Sequence, residues 1–216
     1  MPDAVDRGPT PARRRRNPAE RAAEIAAAAV AVARAEGLAA VTLRGVAAAV
    51  GVAPSLVAHY RPSMDELVGD TFRTVASAEV AEVRSIVERT PDPVARLGTL
   101  LACIADPARD DVATLWADAW SIGRTNDHLA SAAREVMDDW QALATAVVSA
   151  GVRAGVMRTD DPDEVARLLF ALVDATNGYA LVGYLDRRTR EALVRATVAR
   201  AVDVDEVALT VGGRDG

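Results

Sequence analysis

The stretch TLRGVAAAVGVAPSLVAHY, Thr42–Tyr60, decides the fold. Thr42 suits the cap of a short helix over Leu43–Val50, whose apolar side is Leu43, Val46, Ala47 and Val50 at three- and four-residue steps. Gly51 ends that helix, because glycine enters the left-handed backbone region without steric cost. Pro54 then suits the first turn of a second short helix, about Pro54–Tyr60, where its missing N–H would have had no partner anyway. Neither helix buries much surface alone. The two must pack across one another and on a neighbour, as a helix-turn-helix.

Upstream, Ile25, Ala28, Ala29, Val32 and Ala33 recur with helical spacing from Pro18 onward, and Gly37 supplies the stop. Residues 1–17 combine three prolines, a glycine and the Arg13–Arg16 cluster with little apolar content, and read as a disordered basic arm. Downstream, Arg61-Pro62 ends the second short helix. Ser63-Met64-Asp65-Glu66 has the pattern of a capping box, with Ser63 as cap and Glu66 reaching back. The long helix that follows, Met64 to about Arg89, carries a buried stripe that includes Leu67, Val68, Phe72, Val75, Val80 and Val83. Pro91 and Pro93 break it. Further helices are expected over 93–104, 110–124, 128–154, 162–184 and 187–203, the clearest start being Asp161-Pro162-Asp163-Glu164. No segment alternates with period two and no internal repeat occurs. The expectation is an all-α chain of about nine helices: arm 1–17, helix-turn-helix head 18–63, helical body 64–210.

Composition narrows the chemistry. All 25 basic residues are Arg, which removes lysine-dependent mechanisms such as a Walker-type phosphate loop or a Schiff base. The single Cys103 excludes an intramolecular disulfide or a CxxC site, and two histidines, His59 and His128, make a multi-histidine metal centre untenable. The adjacent pairs Asp110-Asp111, Asp138-Asp139 and Asp160-Asp161 diverge on a helix, and neither Glu-x-x-His nor Gly-x-Ser-x-Gly occurs. No catalysis, metal or cofactor is expected. Charge is split: residues 1–64 hold nine Arg against five acids, a local +4, and residues 65–216 hold sixteen Arg against twenty-six acids, a local −10. A basic head on an acidic body suits nucleic-acid binding by the head. Glu20 and Glu24 interrupt the approach to the apolar run at Ile25–Ala33, which argues against a secretory signal, and no apolar stretch reaches the roughly 18 residues of a membrane span. A cytoplasmic protein with no membrane partner is expected.

From Arg21 to Leu67 the spacing is specific. The run Ile25, Ala28-Ala29, Gly37-Leu38, Val41-Thr42-Leu43-Arg44, Val46-Ala47, Gly51-Val52, Val57, His59-Tyr60, Pro62-Ser63 and Glu66-Leu67 resembles the DNA-binding domain of the TetR family of repressors without a gap. The resemblance implies a dimer that lays two short helices into successive major grooves of a palindromic double-stranded operator. It assigns base contacts to Arg44, Pro54, Ser55 and Ala58, and phosphate contacts to Thr42, His59 and Tyr60. A guanidinium at Arg44 suits bidentate binding to guanine, the alternative being solvation of a helix end. The sequence departs from the family at Ala58, Arg61 and Met64, where Tyr, Phe and a phosphate-binding Lys are common. Arg61 and the Arg13–Arg16 arm are the compensating cations; the arm either follows phosphates or is a solvated tail.

In the body, Trp116 and Trp120 share a helical face, Met137 and Trp140 stand on the next helix, and Phe170, Asp174, Asn177 and Tyr184 on the one after. Trp116, Trp120, Met137, Phe170, Asp174 and Asn177 are the expected ligand-binding set, with core packing as the alternative. Leu115-Trp116 through Gly155-Val156-Met157-Arg158 to Leu185 also resembles the ligand domain of the betaine-regulon repressor branch. For a quaternary ammonium inducer, Trp116, Trp120 and Asp174 would form an aromatic–acidic cage. The resemblance makes residues 64–210 a regulatory and dimerisation domain, with homodimer pairing through residues 162–203. It further implies that an unidentified small-molecule inducer shifts the long helix and releases the DNA. Repression is the family default and activation a minority outcome. An architectural DNA binder without inducer is the alternative, and a helical metal or enzyme bundle the remote one.

Overall fold

The computed structural model describes residues 17–210, which form nine α-helices and three short 3₁₀ turns, with no strand among the described residues. Residues 1–16, including Arg13–Arg16, lie outside the described residues. Helix α1 spans Pro18–Glu36 and opens on a complete capping box. Asn17 Oδ1 accepts from the Glu20 N–H at 2.9 Å, and the Glu20 carboxylate accepts from the Asn17 N–H at 3.1 Å. Asn17, grouped with the arm by composition, is therefore the start of the head.

Helices α2 (Leu43–Val50) and α3 (Pro54–Tyr60) fall where their punctuation placed them. Thr42 Oγ1 accepts from the Gly45 N–H at 3.0 Å, and Gly51 sits in the left-handed region at φ 72°, ψ 41°. Val46, Ala47 and Val57 are buried against Ile25, Ala29 and Ala33 of α1, which holds the three helices together.

The body comprises α4 (Met64–Glu88), α5 (Pro93–Ile104), α6 (Asp110–Ile122), α7 (Asp127–Arg153), α8 (Pro162–Leu181) and α9 (Arg187–Ala201). Helices α4 and α7 make the most extensive pairing, with α8 on α7 and α9 on α8. The core runs through Phe72, Leu97, Leu100, Leu115, Leu129 and Leu169, all essentially inaccessible. Helix α8 stops at Leu181 rather than 184, because Gly183 at φ 69° turns the chain. The expected box at the start of α4 is only half formed. Ser63 accepts from the Glu66 N–H at 3.2 Å, but Glu66 does not reach back. Its carboxylate faces His128 Nε2 at 3.9 Å, since α7 begins beside this end of α4. The 3₁₀ turn Glu206–Leu209 buries Leu209 on α5. No described helix is long and apolar enough to cross a membrane.

The head is fastened to the body at α6. Asp118 Oδ2 accepts from the Leu38 N–H at 2.7 Å, in the 3₁₀ turn Leu38–Ala40, and Asp111 pairs with Arg34 of α1 at 2.5 Å.

Candidate DNA-binding face and ligand cavity

Helix α3 buries Val57 and leaves its other side outward: Pro54, Ser55 and His59 are exposed, Ala58 and Tyr60 half-buried. The His59 ring meets Tyr60 edge-on at 5.1 Å. Thr42 and Arg44 are exposed at the start of α2. The Thr42 oxygen caps its helix by accepting, so its hydroxyl hydrogen stays available to donate. Arg44 has no ion-pair partner within 4 Å among the described residues. Thr42, Arg44, Pro54, Ser55, Ala58, His59 and Tyr60 thus belong to one rim around α2 and α3. Arg61 is turned differently: its guanidinium lies 3.7 Å from Asp70 of α4, so its charge is directed to the protein's own helix.

In the body a compartment of about 50 Å³ lies between α4, α6, α7 and α8, with Ile104 of α5 also in its lining. Five of the six expected ligand residues line it: Trp116, Met137, Phe170, Asp174 and Asn177. Trp116 is buried and meets Phe72 edge-on at 4.9 Å, while Trp140 packs against Phe170 at 5.5 Å. Trp120 is not in the wall. It is 44% exposed and covers Trp116 from outside at 5.3 Å, because it falls at the edge of the buried stripe Val112, Leu115, Trp116 and Ala119 of α6. Tyr184 lies away from the compartment, on the surface against Tyr179.

Glu79, Arg109 and Trp140 also line the compartment and were not among the expected ligand residues. Glu79 had a signal: it sits at the helical phase of Val75, Ala76 and Val83, within the buried stripe of α4. Burial pushes its carboxyl from 4.5 up to about 7, with Arg109 pulling the other way. Burial likewise pushes Asp174 up to about 6, opposed by hydrogen bonding from Trp120. Two carboxyls are therefore held among aromatic rings where burial disfavours their ionisation, with Arg109 the protein's own cation in the same lining.

Residues 25–71 match the profile of bacterial regulatory proteins of the tetR family, and residues 93–204 that of the C-terminal part of BetI-type transcriptional repressors. This chain belongs to the TetR family of transcriptional regulators. TetR-family proteins pair a DNA-binding helix-turn-helix with a helical ligand-binding domain, and head and body here have that order. No curated protein matches the sequence. Among solved structures, a transcriptional regulator from Saccharomonospora viridis in complex with choline is 19% identical, with a TM-score of 0.75 over 85% of this chain and 98% of its own. A transcriptional regulator from Rhodococcus sp. Rha1 is 25% identical, with a TM-score of 0.68 over 85% of this chain and 98% of its own. A third, RolR in complex with resorcinol, is 16% identical, with a TM-score of 0.64 over 89% of this chain and 92% of its own. These structures share the fold, and two of them hold ligands as unlike as choline and resorcinol.

Proposed function

We propose that this TetR-family regulator is a homodimeric repressor that holds a palindromic operator and releases it when a small cation occupies the body. The observation that carries this reading is the double duty of α6. Trp116 walls the ligand compartment, and two residues on Asp118 grips the backbone of the head. Helix α4 supports the same route, with Glu79 in the compartment and its N-terminus joined to α3. A ligand that shifts either helix repositions the two recognition helices, and a differential affinity of about 1–3 kcal/mol suffices.

The dimer is supported by a seam on α8. Leu168, Ala171, Ala175, Gly178 and Val182 recur at three- and four-residue steps and all are exposed. A side chain at Gly178 would meet nothing within the protomer, which suits close approach by a second helix. Leu193 adds an exposed apolar residue on α9. Pairing by this face sets two copies of α3 for half-sites about 34 Å apart. Each reads bases with Arg44, Pro54, Ser55 and Ala58 and holds phosphates with Thr42, His59 and Tyr60. The cationic ligand is supported by Trp116, Trp140, Glu79 and Asp174 around one space, since an ammonium is attracted by ring faces and by carboxylates. The choline bound by the Saccharomonospora viridis regulator is the natural first probe.

The test is selection of bound DNA fragments by the full chain, followed by titration of the best one with choline chloride and tetramethylammonium chloride. A palindrome released by one of these salts, and not by equal sodium chloride, is expected. Sequence-indifferent binding would make the protein architectural. Palindrome binding unmoved by any cation would leave a regulator with another ligand class. Ala175→Arg should give monomers by sedimentation and weaken operator binding by on the order of a hundredfold, because the second half-site no longer binds intramolecularly.

A further inference from the structure

The compartment among Trp116, Trp140 and Phe170 is too small for a whole ligand. About 50 Å³ admits a compact head group, whereas small-molecule sites span about 300–1,000 Å³. A second cavity of about 360 Å³ lies against it, between α5, α6, α8 and α9. The two share Ile104, Arg109, Ala113, Val173 and Asn177, so one wall serves both. Their chemistry differs. Aromatic rings and the high-pKa carboxyls line the small one; the large one has no aromatic ring and is lined by Arg109, Arg187, Arg190 and Arg195.

Three of those arginines are paired: Arg109 with Glu82 at 3.0 Å, Arg187 with Asp110 at 2.5 Å, Arg195 with Glu206 at 3.1 Å. Arg190 has no carboxylate within 4 Å among the described residues. Glu191 also lines the cavity, but successive helical residues diverge by about 100° and it does not reach Arg190. The Arg190 Nη1 donates to Asn177 Oδ1 at 3.2 Å, which ties the guanidinium to the shared wall. Its Nε is buried with no hydrogen-bond partner. A buried donor left unmade is costly, and a guanidinium presents a fork shaped for a carboxylate.

We propose that the ligand of this regulator is a zwitterion, its ammonium held between Trp116, Trp140, Glu79 and Asp174, its carboxylate received by Arg190 in the larger cavity, and a short apolar linker passing Val173 and Asn177. The zwitterion rests on the cationic ligand proposed above and adds the anionic end. Each end then meets groups of opposite charge: the ammonium the two carboxyls and ring faces, the carboxylate the Arg190 guanidinium.

Calorimetry on the full chain tests it with three probes: the trimethylammonium derivative of butanoate, its methyl ester, and choline. The zwitterion should bind roughly tenfold tighter than the ester, as a charge-assisted hydrogen bond allows. Arg190→Met should erase that advantage while leaving ester affinity unchanged, and Arg190→Lys should keep part of it. Ester and zwitterion binding equally well to the unaltered chain would overturn the zwitterion, as would Arg190→Met weakening both alike. The unaltered chain gives the first comparison even should the variant not fold. Choline and ester binding with no gain from the carboxylate sinks the anionic end alone. No binding by any trimethylammonium compound, choline included, sinks the cationic ligand and the zwitterion with it.

Discussion

The head and the body keep their ionisable groups in opposite places. Around α2 and α3 the interior is Ile25, Leu38, Val46 and Val57, and every polar side chain assigned to DNA stands at the surface or half out of it. In the body the informative polar groups are drawn inward: Glu79 is 9% exposed, Asp174 is half-buried, and the Nε atoms of Arg109 and Arg190 are enclosed without partners, a state shared in the head by Arg61, beside α4. The difference follows from what each region meets. A duplex presents its phosphates and base edges from outside, so a reader needs polar groups that protrude and are unpaired. A small ligand is surrounded, so its recognition is strongest where polar groups have already lost their water.

Four measurements would break or sharpen this contrast. The largest effect is expected at Phe72→Ala, which removes a fully buried ring from between α4 and α6 and should cost about 3–5 kcal/mol of stability in denaturant unfolding. Head and body should lose stability together if they share one core. A transition confined to the body would show them to be energetically separate. Next is Arg44→Ala. Operator affinity should fall by about 1–3 kcal/mol, and discrimination at one base pair should relax, with the unfolding curve unchanged. A change in salt slope with sequence preference intact would instead make Arg44 a phosphate contact.

Asp118→Ala removes the acceptor of the Leu38 N–H and should leave ligand affinity in place. The difference in operator affinity with and without ligand should lose most of its about 1–3 kcal/mol. Full release by the variant would place the coupling in α4 alone. The smallest effect concerns pH. Glu79 and Asp174 hold protons more tightly in the folded chain than in the unfolded one, so the folded state binds more protons between about pH 4 and 7. Stability should therefore fall as pH rises through that window, and Glu79→Gln should remove its upper part. Cation affinity should move the other way, rising through pH 6–7 as the carboxyls become able to ionise. A flat melting temperature and a flat affinity over this range would remove both carboxyls from the cage.

The head was legible because its signals are local. Thr42, Gly51 and Pro54 act within four residues of themselves, and each closes or opens a helix whatever lies around it. The box of Asn17 and Glu20 was equally readable, and was hidden only by the polar composition of the segment it ends. Aromatic residues at helical spacing led to most of the compartment wall, but not to the outward position of Trp120, which sits at the edge of the buried stripe of α6. Glu79 could be found by phase, as the one charge in the stripe of α4. Arg109 and Arg190 could not. Each reaches the cavities from a different part of the chain, and only the packing of α9 on α8 and of the Pro107–Arg109 turn on α6 brings them together.

The three tryptophans of the chain, Trp116, Trp120 and Trp140, all belong to α6 and α7, with Trp116 and Trp140 in the compartment wall, Trp120 tilted against Trp116, and none in the head. The molecule thus carries a built-in optical reporter. A ligand entering the proposed site should change its ultraviolet emission directly, whereas DNA would act on it through α4 or α6, so an emission change on adding operator would be a label-free signature of communication between the two ends.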